Sequence, residues 1–304
     1  RAMADAASPL TTLNYVKAST ATTAFLGLPR LCQSPSLSVR QMKALVGIGA
    51  ATESHPVTLH DARSDSSLRY ETCGFKLEPL SSGVVDWSQV AKRGTPEHTL
   101  YKAELEAIVR RLHPDAKALA WSTFLLRGGP GENGPAAGAI HLDWYPDVAA
   151  CKEFLSEHPE GYHDLKDTAA QVKSQPGNEN LELKVVLGLW KPRNESNPVK
   201  EAPLIVCDPR TVDFSTEVAR QEQCFNVNAE GTSVPVANLA ANLKHSERQK
   251  WYYFKDQTRD EVFVFRHATI EQPSFANFHC GGVLPLPAGM EKRSSVETRV
   301  MLYF

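Results

Sequence analysis

The chain lacks a long hydrophobic run. No apolar stretch approaches the roughly 20 residues that span a bilayer as a helix, so no membrane partner is expected. It also lacks a basic stripe: 33 Lys and Arg are set against 35 Asp and Glu, for a net charge of −2, without the footprint of a nucleic-acid binder. No CxxC pair occurs among the six cysteines, which are scattered from Cys32 to Cys280. In a chain of this length that pattern reads as reduced thiols in a cytoplasmic protein, not a disulfide framework. No internal repeat and no low-complexity linker divides the sequence. A single domain over 1–304 is expected, with about 1–60, rich in Ala, Ser and Thr, as an N-terminal extension packed on it. Oligomeric state is left open.

What is present is a core's worth of apolar residues, 42% of the chain, organised first as helix and then as strands. Thr95-Pro96 reads as a helix cap and first-turn proline, and Leu100, Tyr101, Leu105, Ile108, Val109 and Leu112 recur at helical spacing. Residues 118–126 read as one strand. Gly128 to Pro135 must be a loop, either a mobile lid or a hairpin connection. Pro146 opens a helix, and a polar helix-and-loop segment runs from about 159 to 181. Strands are then predicted over 183–190, 203–207, 251–254, 261–265 and 296–304. Many short strands after a helical start indicate a mainly β fold with flanking helices, a double-stranded β-helix or cupin-like jelly roll.

Within this frame His141-Leu142-Asp143 carries the most chemistry. On a strand, alternation puts the imidazole and the carboxylate on one face. His279, from a distant strand, would complete two neutral nitrogens and one anionic oxygen around a metal, with positions left open. That is the facial arrangement used by non-haem Fe(II) oxygenases. Such a positive centre suits an anionic bidentate co-substrate such as 2-oxoglutarate, whose far carboxylate needs a cation and a hydroxyl. Arg293 and Ser295 supply both, 14 residues beyond His279, on the odd face of a strand that also carries Glu297 and Arg299. Singly, each signal has a plainer reading as a buried core histidine or a solvated strand face; the order of all of them is what points to a metal-bearing barrel. Trp144, Tyr145, Tyr252 and Phe265 are candidates for the substrate pocket, or simply for core packing. His158 and His163 read as surface positions, and His245 and His267 lack a carboxylate at ligand spacing. Cys280, beside His279, reads as a small buried thiol.

From about residue 55 onward the chain resembles a fungal and bacterial oxygenase-like family. That family includes the gibberellin desaturase, the cercosporin- and aspergillic-type hydroxylase/desaturases and the cephamycin methoxylation protein. The resemblance is carried by Ala139 to Tyr145, Leu189-Trp190-Lys191-Pro192, Pro203 to Arg210, Trp251 to Gln257, Asp260-Glu261-Val262, His279 and Arg293 to Arg299. It implies an Fe(II)- and 2-oxoglutarate-dependent dioxygenase that uses O2 to hydroxylate, desaturate or oxidatively cyclise a small molecule in secondary metabolism. His141, Asp143 and His279 match the metal ligands. Arg293 and Ser295 match the position that holds the 2-oxoglutarate tail, and Arg299 also matches a family arginine. Lys191 stands where the family usually has Arg; it keeps the charge but loses the bidentate fork. Two rival readings are a facial-triad iron oxidase that does not use 2-oxoglutarate and a metal-free jelly-roll accessory protein.

Overall fold

The computed structural model describes residues 10–16, 23–25, 37–38, 52–128, 139–159, 163–195, 198–229, 232–282, 284 and 291–304. In chain order the strands are β1 (Leu10–Val16), β2 (Thr23–Phe25), β3 (Leu37–Ser38), β4 (Thr52–Asp61), β5 (Phe75–Pro79), β6 (Ala118–Trp121), β7 (Leu125–Arg127) and β8 (His141–Leu142). They continue as β9 (Leu183–Pro192), β10 (Leu204–Cys207), β11 (Val218–Ala229), β12 (Thr232–Leu243), β13 (Trp251–Tyr253), β14 (Glu261–Thr269), β15 (His279–Gly281) and β16 (Ser295–Tyr303). The helices are α1 (Tyr70–Cys73), α2 (Trp87–Val90), α3 (Pro96–Leu112), α4 (Val148–Ser156) and α5 (Asp164–Lys173).

Two curled sheets share these strands. One runs β5-β14-β9-β16-β6, with β7 also on β16; the other runs β1-β4-β13-β10-β15-β8-β12-β11-β2, with β3 also on β11. Successive strands β7, β8, β9 and β10, and again β13 to β16, step from one sheet to the other. This is the winding of a jelly roll, and the mainly β expectation holds.

Alternation along the strands explains the layers. On β16 the even residues Val296, Val300 and Leu302 pack outward with Leu187, Leu189, Val262 and Val264. They cover Tyr101, Leu105, Ile108 and Val109 of α3, a contact in which each buried side chain contributes about 1.5–3 kcal/mol. Thr95 caps that helix, accepting from the His98 amide at 3.2 Å, and Pro96 occupies its first turn as the sequence indicates. The odd residues of β16 face the barrel interior. There Trp190, Phe263, Phe265, Val206 and Tyr252 form an apolar floor.

Some expectations need amendment. The strand predicted over 118–126 is two, β6 and β7, because the chain breaks at Ser122–Phe124 and drops Phe124 into the core against Tyr101, ring centroids 5.4 Å apart. The polar helix-and-loop segment expected from about 159 to 181 does contain a helix, α5. The β11–β12 hairpin, with 12 residues in each strand, was not foreseen. The proposed lid lies, apart from Gly128, outside the described residues. Among the described residues no helix is long and apolar enough to cross a membrane.

Candidate metal centre

Three strands bring the centre together. β15 lies between β10 and β8, and His279 is the direct cross-strand partner of His141. Partners on adjacent strands project to the same face, so both imidazoles enter the barrel, ring centroids 4.6 Å apart. Asp143 follows two residues after His141 on the same side. The ligating atoms of His141, Asp143 and His279 all lie within 4.8 Å of one another. Metal–ligand distances of about 2.1 Å set cis donors about 3 Å apart, so ligation would draw the three slightly inward.

The second atoms of these side chains are already committed. His141 Nδ1 bonds the Ala139 carbonyl at 2.7 Å, and His279 Nδ1 bonds the Asn277 carbonyl at 3.1 Å. Each Nδ1 therefore carries the proton, and each Nε2 lone pair is left for the centre, the usual way a protein fixes a ligating tautomer. Arg299 donates from Nε and Nη2 to one oxygen of Asp143, Oδ2, at 2.9 and 2.6 Å. The other oxygen, Oδ1, stands 3.5 Å from His141 Nε2. Two nitrogens and one carboxylate oxygen suit a divalent first-row metal with open coordination positions.

Charge within the cluster is sharply divided. Burial works against the Asp143 anion, but the Arg299 charge, helped by His141 and His267, holds its carboxyl well below the usual range. Burial also opposes charge on His141, yet the bond and charge of Asp143 leave that imidazole raised above 6.5. His279 is pushed down to about 4 by burial and by the neighbouring His141. It is a neutral nitrogen donor at physiological pH.

His267 is the residue that sequence reasoning missed. Its Nε2 lies 3.6 Å from Asp143 Oδ2, and burial keeps the imidazole neutral. No carboxylate stands at ligand spacing from it along the chain; the fold brings Asp143 to it instead. Strand alternation puts His267 there: Phe263, Phe265 and His267 share the inner face of β14, and a bulge at His267 separates the pairs Arg266–Leu187 and Ala268–Val186. Gly188 makes room for it. A Cβ there would stand 2.5 Å from both His267 Nε2 and Phe265 Cζ. A glycine inside a strand was the available signal of such a close approach.

The other candidates divide. Arg293 is buried; Nη1 donates to the Ala202 carbonyl at 2.8 Å, Nε to Ser295 Oγ at 3.3 Å, and the guanidinium stacks 4.8 Å over the Trp190 ring. Among the described residues no carboxylate makes an ion pair with it. Glu297, next inward on β16, takes Arg127 instead, at 2.7 Å. Burial lowers the Arg293 cation to about 10. Lys191 is not brought to the cluster. Strand alternation turns it away from Trp190 to the outer face of β9, where Nζ donates to the Leu80 carbonyl at 2.8 Å and burial lowers the amine to about 8. Phe265 lies 4.8 Å from the His279 ring, and Trp144 lies 6.3 Å from His267. Tyr252 belongs to the apolar floor, with its hydroxyl engaged in donating to Asp65 at 2.8 Å, and half-buried Tyr145 packs at the edge of two cores. His163 is buried, not a surface residue, and bonds Asn238 Oδ1 at 3.0 Å. Cys280 is a free buried thiol.

Fold and donor set thus define a jelly-roll protein with a candidate mononuclear metal centre in its barrel. The chain belongs to the family described as "Oxidoreductase/YMDC permease-like domain", whose model matches residues 13–303. In sequence it is similar to the Fe(II)/2-oxoglutarate-dependent dioxygenase NvfI of Aspergillus novofumigatus, 25% identical over 258 residues, covering 82% of this chain and 83% of that relative. In structure it shares the fold of the iron and alpha-ketoglutarate-dependent endoperoxidase NvfI (TM-score 0.63, 20% identity, 98% of each chain). A variant of that endoperoxidase aligns with a TM-score of 0.67, at 21% identity over 99% of each chain.

Proposed function

We propose that the protein is an Fe(II)- and 2-oxoglutarate-dependent dioxygenase that hydroxylates, desaturates or oxidatively cyclises a small molecule in secondary metabolism. The observation that carries this reading is the pair of imidazoles on one rung, each with Nδ1 tied to a carbonyl and Nε2 directed to the same point as Asp143. The dioxygenase kinship supports the choice of iron and of 2-oxoglutarate. A closer kinship, to the gibberellin desaturase and cephamycin methoxylation group, belongs to the same proposal.

His141, Asp143 and His279 would hold the metal, with Arg299 orienting the Asp143 carboxylate through its bonds to Oδ2. Bound ferrous iron, with 2-oxoglutarate and oxygen, supplies the oxidising power to remove hydrogen from a substrate carbon. Arg293 and Ser295 take the far carboxylate of 2-oxoglutarate. A buried guanidinium without an anionic partner is unfavourable by itself, and a fork of donors matches a planar carboxylate. Arg299 is already engaged by Asp143, which favours Arg293 for this role. Phe265, Trp144 and the ring of His267 wall the centre and keep water away from the reacting carbon. The domain acts as one unit over 1–304, in a cytoplasmic setting.

The test is direct. Anaerobically iron-loaded protein given 2-oxoglutarate and then oxygen should release succinate, and His141→Ala should lower that release at least about 100-fold, since loss of a ligand's outer-shell partner alone costs about 10–100-fold. Succinate release that ignores the substitution, or an absolute lack of 2-oxoglutarate consumption by iron-loaded protein, would defeat the proposal.

A further inference from the structure

The β11–β12 hairpin extends the sheet beyond the strand of His141, and it lays amides on the face that His141 uses. Asn242 is the cross-strand partner of His141. From that position its Nδ2 donates to Gln221 Oε1 at 2.8 Å. Both residues are buried, Gln221 at 1% exposure and Asn242 at 2%. Further along, Asn238 donates to Gln223 Oε1 and to the Asp143 carbonyl, each at 2.9 Å, while its own oxygen takes His163. That second amide pair is tied into the protein. Gln221 Nε2, with two donor hydrogens, has no acceptor among the described residues. Buried side-chain amides nearly always find partners, so an orphan beside a reaction centre asks for a ligand.

Position selects the ligand. Along the strand order β10-β15-β8-β12-β11 the metal-ligating residues occupy the middle. Arg293 reaches the Ala202 carbonyl just ahead of β10, whereas Gln221 sits on β11, two strands or about 10 Å to the other side of His141. With the co-substrate on the β10 side, as in the function proposed above on which this step rests, the β11 side is left for the organic substrate. We propose that Gln221 Nε2 donates a hydrogen bond to a carbonyl oxygen of that substrate, with Asn242 fixing the amide. The substrate is then a ketone, ester or amide, not an unfunctionalised hydrocarbon.

A matched pair of probes tests this: cyclohexanone against methylenecyclohexane, offered to protein loaded with Mn(II) in place of iron, with and without 2-oxoglutarate. Paramagnetic broadening of probe proton resonances reports binding beside the metal, and calorimetry reports 2-oxoglutarate affinity. The ketone should bind about tenfold more tightly than the alkene, and Gln221→Glu should remove that preference. This isosteric change keeps the acceptor for Asn242 but removes the donor. The same variant should hold 2-oxoglutarate within about twofold of wild type, which also shows that it is folded. Equal binding of the two probes, or ketone binding indifferent to Gln221→Glu, overturns the inference. So does a loss of 2-oxoglutarate affinity in its place, which would assign the amide to the co-substrate. If wild-type protein bound no 2-oxoglutarate at all, the proposed function would fail, while the probe comparison with Mn(II) alone would still decide the role of Gln221.

Discussion

Replacing Arg299 by Met should separate its role from that of Arg293. The substitution keeps an unbranched apolar stem but leaves the Asp143 carboxylate, only 18% accessible, without the two bonds that now engage Oδ2. Breaking one side of a buried pair typically costs 3–5 kcal/mol. His141, 3.5 Å from the other oxygen, retains some compensation, so about 3 kcal/mol is expected for the metal-free protein, or roughly 6 °C in a domain of this size. A divalent ion at the centre supplies positive charge to the same carboxylate. The penalty should therefore shrink in the loaded protein, and the stabilisation gained from saturating Mn(II) should be larger in Arg299→Met than in wild type. Thermal unfolding with and without Mn(II), at one common saturating concentration for both proteins, measures that difference. Calorimetry with 2-oxoglutarate on the loaded variant should show affinity within about twofold of wild type. If Mn(II) recovers none of the lost stability, Asp143 is not a ligand. If 2-oxoglutarate affinity collapses, Arg299 and not Arg293 holds its carboxylate.

Arg293→Lys should lower 2-oxoglutarate affinity at least about tenfold while leaving Mn(II) affinity unchanged, because the charge stays and the fork is lost; paired calorimetric titrations check both. Gly188→Ala should destabilise by about 1–3 kcal/mol, since its Cβ would stand 2.5 Å from both His267 and Phe265. Urea unfolding reads that loss, and an accompanying fall in Mn(II) affinity would show the displaced rings pressing on the centre. Far from the site, Glu78 is held below 4.5 by Lys76 and Arg111, which together outweigh its burial. The lowered folded value stabilises above about 4.5 and loses that contribution as pH falls through it. Arg111→Met should thus cost roughly 1 kcal/mol at pH 7, its exposed partner limiting the effect, and progressively less as pH falls through the lowered value of Glu78, by urea titration across that range.

Much of the centre was legible because it follows from local rules. Period-two alternation puts His141 and Asp143 together, and the same rule splits β16 into a core face and an interior face, as the sequence indicates. Helix α3 announced itself by Thr95-Pro96 and its apolar spacing. What escaped depends on contacts between distant segments. His267 shares a face with Phe263 and Phe265 by alternation, but its meeting with Asp143 depends on how β14 and β8 face each other across the barrel, which no local pattern records. Lys191 carries an attractive charge, but strand alternation opposite Trp190 sends it to the outer layer. The β11–β12 hairpin was hidden by its own chemistry, since runs such as Arg220-Gln221-Glu222-Gln223 look like a solvated segment until neighbouring amides satisfy them. Arg299 could be placed on the correct face, yet its engagement with Asp143 required the fold of β8 against β16.

His141 and His279 are opposed on one rung although 138 residues (279 − 141) separate them along the chain. An ion shared by the two would tether nearly half the polypeptide into a single ring, a closure whose entropic return grows with the length enclosed. Loading must therefore come late in assembly, after β15 has docked, and nascent chains ought to ignore free metal until then. Conversely, a chelator should loosen the seam at β8, only two residues long, before anything else gives way.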